Sequence, residues 1–354
     1  MMPTLFDPLK LGAVTLKNRI VMAPLTRSRA VEDRVPNALM AEYYGQRADA
    51  GLILSEATAV TPMGVGYADT PGIWNDAQVE GWKQVTKAVH DKGGVIFLQL
   101  WHVGRISDPV FLDGQTPVAP SAIKPAGTVS LVRPQRPYVT PRALETDEIP
   151  QIVAAYRQGA ENAKRAGFDG VQIHAANGYL IDQFLQDGTN HRTDAYGGSI
   201  ENRARFLNEI ADAVIEVWGA DRVGVHLAPR GDSHDMSDSD PRALFSHVAR
   251  QMALRGIAFL GVREHLAEDS VLEDIRAAFD GVVIANEGMT QEVAEKLVED
   301  GWADAVAFGR DFIATPDLPR RFRDGLALND VDFSTFYVGG AKGYTDYPLA
   351  EELA

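Results

Sequence analysis

Eight short apolar runs, separated by segments with helical periodicity, constrain the fold of this chain more than any other feature. The runs lie at 19–23, 51–56, 95–100, 170–174, 223–227, 259–262, 282–285 and 305–308. Most are continuously apolar, as is typical of parallel strands that are covered on both faces. Helical patterns lie at 78–91, 200–218, 241–254, 271–279 and 290–299. Eight β-then-α units predict an α/β protein with the (β/α)8 TIM-barrel fold.

One more helix start and one competing fold complete this prediction. Thr146 is followed by two acidic residues and then by Pro150, which is typical of an N-cap and a first helical turn. The alternative fold is a doubly wound open sheet. No G-x-G-x-x-G motif follows the first strand, which weakens a dinucleotide-binding version of that alternative.

Two segments lie outside the β/α alternation. Residues 10–18 resemble a short hairpin before the first strand, where it would close the bottom of the barrel. Residues 103–145 are rich in proline and glycine and have no helical period. A connection this long in a compact domain is usually functional, so we interpret it as a lid or rim over the barrel mouth, within a single domain spanning 1–354.

Composition excludes several classes of function. The 354 residues carry a net charge of −15, which disfavours nucleic acid and anionic membranes as partners. No cysteine is present, so disulfides, thiolate metal sites and cysteine nucleophiles are excluded. The sequence shows neither a secretory signal nor an apolar stretch of about 18 residues, and we expect a cytoplasmic protein. Four aspartates (Asp232, Asp235, Asp238 and Asp240) lack calcium-loop spacing, so we interpret them as a solvated rim and predict no metal site.

Polar side chains recur where the apolar runs stop, which is where the active sites of barrel enzymes collect. The densest group follows the fourth run, where His174, Asn177 and Tyr179 lie within six residues. Two of these side chains can hold a substrate oxygen through hydrogen-bond donors while the third delivers a proton. Other polar residues at strand ends are Thr26, Gln99, His226, Asn286, Glu287 and Arg310.

At this point a family resemblance is evident. The stretch 171–206, the N-terminal 18–27 and the C-terminal 343–348 resemble the Old Yellow Enzyme family of FMN-dependent ene-reductases, near its N-ethylmaleimide and nitrate-ester reductase branch. The resemblance covers nearly the whole chain. It implies bound FMN, with NADPH or NADH as the reductant and small activated alkenes as substrates.

The resemblance also implies roles for individual residues. His174 and Asn177 would donate hydrogen bonds to the substrate oxygen, and Tyr179 would supply the proton. FMN would be held by Pro24, Thr26, Ala57, Gln99, His226, Gly288, Gly309 and Arg310, the last three at its phosphate. Tyr67, Trp101 and Tyr337 would line the substrate pocket.

Two positions depart from the family pattern. His226 stands where the family normally has an arginine facing the flavin, and an imidazole has an ordinary pKa of about 6.5. We therefore predict a flavin that binds more weakly or is less easily reduced, increasingly so above neutral pH. Glu287 stands where a second small residue is usual, and we expect its carboxylate to point away from the phosphate.

The sequence thus predicts an FMN-dependent NAD(P)H oxidoreductase that reduces α,β-unsaturated carbonyl, maleimide or nitro compounds by ping-pong kinetics, as a monomer or homodimer. One alternative is a nitrate-ester or nitroaromatic reductase that uses the same flavin. An alternative of another class is a flavin-free barrel, either a lyase or a protein that binds a phosphorylated ligand. A Schiff-base lyase needs a lysine at a strand end, and none is found there.

Overall fold

The structure is a computed structural model that describes residues 2–231 and 233–352. In chain order its strands are β1 (Leu9–Leu11), β2 (Val14–Leu16), β3 (Ile20–Met22), β4 (Leu52–Leu54), β5 (Thr58–Ala59), β6 (Ile96–Trp101), β7 (Val118–Ala119), β8 (Arg142–Ala143), β9 (Gly170–Ala175), β10 (Val223–Leu227), β11 (Phe259–Arg263), β12 (Val282–Asn286) and β13 (Ala305–Phe308). Its α-helices are α1 (Ala38–Gln46), α2 (Asp76–His90), α3 (Ile149–Arg165), α4 (Leu180–Leu185), α5 (Ile200–Trp218), α6 (Pro241–Arg255), α7 (Leu272–Ala278), α8 (Gln291–Glu299), α9 (Arg310–Ala314) and α10 (Leu318–Asp324).

The eight predicted strands close into one parallel barrel. Their order around it is β3, β4, β6, β9, β10, β11, β12 and β13, and the β4–β6 and β13–β3 pairings complete the ring. These strands are buried along most of their length, which explains why most of them appear in the sequence as apolar runs. The predicted TIM barrel is confirmed, and the open-sheet alternative is wrong.

The predicted N-terminal hairpin is confirmed and lies at the bottom of the barrel. β1 and β2 pair antiparallel, with Leu9 opposite Leu16. Both leucines pack in one cluster with residues from inside the barrel, such as Phe97 and Phe259. The backbone N–H of Ala13 donates to the carbonyl of Asp221, 2.9 Å away, in the connection that enters β10. The functional residues must therefore lie at the opposite, carboxyl-terminal end of the strands.

The predicted helices are present, but α2 and α3 do not start as predicted. α2 begins two residues earlier than predicted, because Asn75 and Gln78 form a capping box. Thr146 does not cap α3: that helix begins at Ile149, and the Thr146 hydroxyl donates to Asp194 Oδ2 at 2.6 Å instead. The Thr146 hydroxyl, predicted to cap the helix, is thus bound instead to Asp194, which lies 48 positions further along the chain.

The interpretation of the acidic loop as a solvated rim is wrong at one position. The Asp238 carboxylate is fully buried and forms an ion pair with the Arg203 guanidinium. Asp240 caps α6 by accepting from the Ala243 backbone N–H at 3.0 Å. Asp232 lies outside the described residues. Within 2–231 and 233–352, no helix is both long and apolar enough to cross a bilayer.

Candidate active site

A cavity of about 850 Å³ opens at the carboxyl-terminal end of the barrel strands. Its walls come from the carboxyl-terminal ends of β10, β11, β12 and β13, from the segments that follow β3, β9, β11, β12 and β13, and from the C-terminal segment around Phe336. Among the predicted site residues, those that line this cavity are Pro24, Thr26, Asn177, His226, Gly288, Gly309, Arg310 and Tyr337. Pro24 and Tyr337, more than 300 positions apart in the sequence, thus line the same cavity.

The other predicted residues form a group of rings beside the cavity. The Tyr179 ring lies 5.0 Å from that of Trp101 and 5.1 Å from that of His174, both edge to face. Its hydroxyl is 2.9 Å from the hydroxyl of Tyr67, whose ring stacks on Trp101. Ala57 packs in the same cluster. Val129 and Tyr138 also belong to it; they come from residues 103–145, the long excursion after β6. The excursion therefore packs against the phenol of Tyr179 and its neighbours.

Gln99 is buried next to the imidazole of His226. Its Nε2 donates to Gln172 Oε1 at 2.8 Å and is 3.3 Å from His226 Nδ1. The Gln172 side chain is fully buried, and its own Nε2 has no partner among the described residues. A buried amide donor without an acceptor costs roughly 1–3 kcal/mol.

The turn after β9 is held in an unusual conformation. Asn177 has φ 60° and Gly178 has φ 77°, so the chain turns sharply between the strand and α4. A side chain at Gly178 would meet the Ser233 carbonyl at 2.7 Å, and asparagine is among the few residues that tolerate the left-handed region. Asp182 Oδ2 accepts from the Gly178 N–H at 2.9 Å, and Gln183 Nε2 donates to the Gly178 carbonyl at 2.8 Å. The loop that carries Asn177 and Tyr179 is therefore anchored by α4.

The imidazoles of His174 and His226 are neutral at physiological pH. Burial, with a further contribution from the Arg263 charge, lowers the pKa of His226 to about 3. Burial, then His226 and Arg263, lowers the pKa of His174 well below its ordinary value. The expectation that His226 changes charge near neutral pH is therefore wrong for the protein without flavin. The imidazole nevertheless keeps one N–H that it can donate.

A second group of residues forms the end of the cavity beyond β12 and β13. Gly309 precedes the short helix α9, and a side chain there would find its nearest neighbour, Leu25, at 3.4 Å. Gly288 has φ 68°, and the guanidinium of Arg310 lies over the Phe333 ring at 5.4 Å. The Glu287 carboxylate lies 2.9 Å from Arg263 Nη2, so its charge is neutralised by a partner. This end thus offers a cation, and glycine backbone that a ligand can approach closely, to an anionic ligand.

Comparison with known proteins identifies the family. Residues 4–329 match the model of the NADH:flavin oxidoreductase / NADH oxidase family. The chain belongs to this family. It is 46% identical to a protein described as putative 12-oxophytodienoate reductase 2 from Oryza sativa subsp. japonica, over 99% of this chain and 95% of that protein. It is also 46% identical to a probable flavin mononucleotide-dependent alkene reductase from Leishmania infantum, over 98% of this chain and 97% of that one.

Solved structures agree with this assignment. Morphinone reductase in complex with tetrahydroNAD superposes with a TM-score of 0.95 at 54% identity, covering 98% of both chains. The Old Yellow Enzyme homologue from Zymomonas mobilis superposes with a TM-score of 0.96 at 48% identity, covering 98% of this chain and all of the other. The predicted membership of the Old Yellow Enzyme family is confirmed, and with it the predicted cofactors, FMN and a reduced nicotinamide.

The residues of the cavity fit FMN. The cavity is within the size range of cofactor sites, at about 850 Å³. One end has two glycines and the Arg310 cation, as a phosphate requires. The other has the hydroxyl of Thr26, the amide of Asn177 and the imidazole of His226. These are the groups that a ring with carbonyl and imine acceptors needs.

Two residues of the site were missed by the sequence analysis. Arg263 lines the cavity and donates to Asn177 Oδ1 at 2.7 Å. His234 Nδ1 lies 2.7 Å from the Asn177 carbonyl oxygen. Arg263 was detectable in principle, because Phe259, Gly261 and Arg263 alternate on one face of β11 and the last of them ends the strand. His234 lies in the loop after β10, and the sequence around it gives no indication that it belongs to the site.

Two buried carboxyl groups near the barrel mouth make stability depend on pH. Burial raises the pKa of Glu56 from an ordinary value of 4.5 to about 7, and raises the pKa of Asp182 to about 7. The folded protein therefore holds these protons more tightly than the unfolded chain does. The resulting stabilisation is complete below about pH 4.5 and is lost as the pH rises through 7.

We expect the free energy of unfolding of the wild type to fall between pH 5 and pH 8, and Glu56→Gln to reduce that fall by up to roughly 3 kcal/mol. Urea unfolding at the two pH values measures the difference. Part of the fall remains in the variant, because Asp182 contributes in the same direction. Exposed Glu32→Gln is the control. Equal falls in Glu56→Gln and the wild type would contradict the assignment.

Proposed function

We propose that this protein reduces activated carbon–carbon double bonds with NADPH or NADH through bound FMN, and that His174, Asn177 and Tyr179 act on the substrate. One observation carries the proposal. The turn after β9 brings a neutral imidazole, an amide and a phenol together beside a cavity that fits the cofactor of the family. The flavin oxidoreductase family supports the reaction class, and the residue roles rest on this geometry.

Two sets of residues would hold FMN. Gly288, Gly309 and Arg310 would bind the phosphate. Pro24, Thr26, Ala57, Gln99 and His226 would surround the ring. When bound, FMN supplies hydride chemistry, taking a hydride from the reduced nicotinamide and giving one to the alkene. Because one cavity serves both substrates in turn, we expect ping-pong kinetics.

His174 and Asn177 would polarise the substrate by donating to its carbonyl or nitro oxygen. Two donors on that oxygen withdraw electrons from the conjugated alkene and make its β-carbon receptive to hydride. They also stabilise the negative charge that develops on the oxygen, as an oxyanion hole does. The imidazole suits this role as a neutral donor, because burial keeps its pKa low.

Tyr179 would protonate the α-carbon of the substrate. Burial raises the pKa of its phenol, so the proton is present throughout the physiological range. The hydrogen bond to Tyr67 fixes the position of the hydroxyl. A phenol held beside the two donors is placed to complete the reduction once hydride has been added.

Loading the purified protein with FMN tests the proposal directly. We expect FMN to be retained through gel filtration, with a yellow colour and quenched flavin fluorescence. The loaded protein should oxidise NADPH or NADH when given 2-cyclohexenone, with parallel lines in double-reciprocal plots. A panel of enones, maleimides, nitroalkenes and nitrate esters then ranks the substrate classes. A protein that stays colourless after exposure to FMN, or a yellow one that reduces no alkene in the panel, would contradict the proposal.

A further inference from the structure

We propose that Arg263 is a positioning residue that sets the orientation of the Asn177 carboxamide, an inference that rests on the donor role proposed for Asn177. Arg263 ends β11, two strands away from β9, and belongs to none of the motifs that identify the site. Its Nη1 lies 2.7 Å from Asn177 Oδ1. No other side-chain hydrogen bond to the Asn177 carboxamide is found in residues 2–231 and 233–352.

The chemistry of the two groups determines which way the amide faces. A guanidinium has five N–H donors and no acceptor, so only the amide oxygen can face it. With Oδ1 bound to Arg263, the two N–H bonds of Asn177 Nδ2 are directed elsewhere, and Asn177 lines the cavity. An unbound asparagine could present either atom to a ligand. The contact with Arg263 therefore fixes the amide orientation, so that Asn177 faces a ligand with its N–H donors and not with its oxygen.

Arg263 is itself held in place by a carboxylate. Its Nη2 donates to Glu287 Oε1 at 2.9 Å, so the guanidinium bridges the turn after β9 and the turn after β12. Glu287 adopts φ 90°, an uncommon conformation for a residue with a side chain, and His265 approaches the same carboxylate at 3.4 Å. The bridge needs an acid at 287, which accounts for a glutamate in a turn where a small residue would be unstrained.

Asn177 is held at its backbone as well. His234 Nδ1 lies 2.7 Å from the Asn177 carbonyl oxygen, while Arg263 holds the side-chain oxygen. Both contacts act on a residue in the left-handed region, which by itself would be free to relax. The side-chain contact is the one that decides between the donor and acceptor faces of the amide.

The competing role for Arg263 is direct contact with bound FMN, because Arg263 lines the same cavity. The two roles predict different behaviour in a double-mutant cycle. If Arg263 acts through Asn177, its removal has no further effect once Asn177 is gone. If it acts on the flavin, its removal changes the midpoint potential whether or not Asn177 is present.

The cycle uses FMN-loaded wild type, Arg263→Met, Asn177→Ala and the double variant, with 4-hydroxybenzaldehyde as the probe. Its Kd is read from the flavin spectrum, and the FMN Kd and midpoint potential are measured alongside. We expect Arg263→Met to weaken the phenol about tenfold, and to change its Kd less than about twofold in the Asn177→Ala background. The midpoint potential should stay at the wild-type value, and the FMN Kd should be the same with and without Asn177 in the Arg263→Met background. Arg263→Lys, which keeps a positively charged donor group, should recover most of the affinity.

Arg276→Met is the matched control, since Arg276 is similarly exposed and pairs with Asp304 away from the cavity. It should leave all three quantities unchanged. Additive losses of phenol affinity, or a shifted potential in Arg263→Met, would overturn the assignment of Arg263 while leaving the proposed function intact. A wild type that takes up no FMN would instead contradict the proposed function itself.

Discussion

Replacing both His174 and Asn177 by alanine is expected to lower kcat/KM for 2-cyclohexenone by about 10³-fold or more. Removal of a single donor to a developing oxyanion costs on the order of 10²–10³ in rate. The double variant leaves the substrate oxygen with neither donor, in a site where both are neutral and pre-positioned. The loss should appear in the alkene half-reaction, measured by stopped-flow oxidation of the pre-reduced protein.

Two comparisons separate this effect from general damage to the protein. The FMN Kd of the double variant should stay within about threefold of the wild type, because neither side chain belongs to the residues assigned to the phosphate or the ring edge. A variant with His191→Ala and Asn202→Ala removes the same two side-chain types away from the cavity and should react normally. If the His174/Asn177 double variant still binds phenols and reduces 2-cyclohexenone at the wild-type rate, the donor assignment fails.

The barrel was predictable because each strand can be recognised from its own stretch of sequence. A parallel strand buried on both faces is mostly apolar, so all eight strands can be recognised as short apolar runs, and the observed bounds differ by a residue or two. The α3 start was not predictable in the same way. Thr146 has the sequence of a cap, but its hydroxyl is used by Asp194, which the fold brings in from a distant loop.

Site residues that are close together in sequence could be predicted. Those whose role depends on neighbours from distant parts of the chain could not. His174, Asn177 and Tyr179 are close in sequence, so one turn brings them together. Arg263 was missed because the sixth strand was predicted to end at Val262, one residue short of it. The neutrality of His226 could not be predicted either, because the pKa depends on burial and on that same guanidinium.

Replacing Tyr179 by phenylalanine is expected to slow alkene reduction by about 10²-fold, while reduction of the flavin by NADH stays within about twofold of the wild type. A positioned general acid typically contributes 10²–10⁴-fold, and phenylalanine keeps the ring contacts with Trp101 and His174. In the wild type the alkene step should be flat from pH 6 to pH 9, because burial raises the pKa of the phenol and it stays protonated over that range. Stopped-flow rates for the two half-reactions across this range test both statements.

Tyr67→Phe is the control that separates the acid from its hydrogen bond. It breaks the same 2.9 Å contact but leaves the Tyr179 hydroxyl in place. If Tyr179 delivers the proton, Tyr67→Phe should lose far less activity than Tyr179→Phe. Equal losses in the two variants would assign the effect to the paired hydroxyls and not to Tyr179 alone. Wild-type rates in Tyr179→Phe would mean that the proton comes from another source, such as water admitted at the cavity mouth.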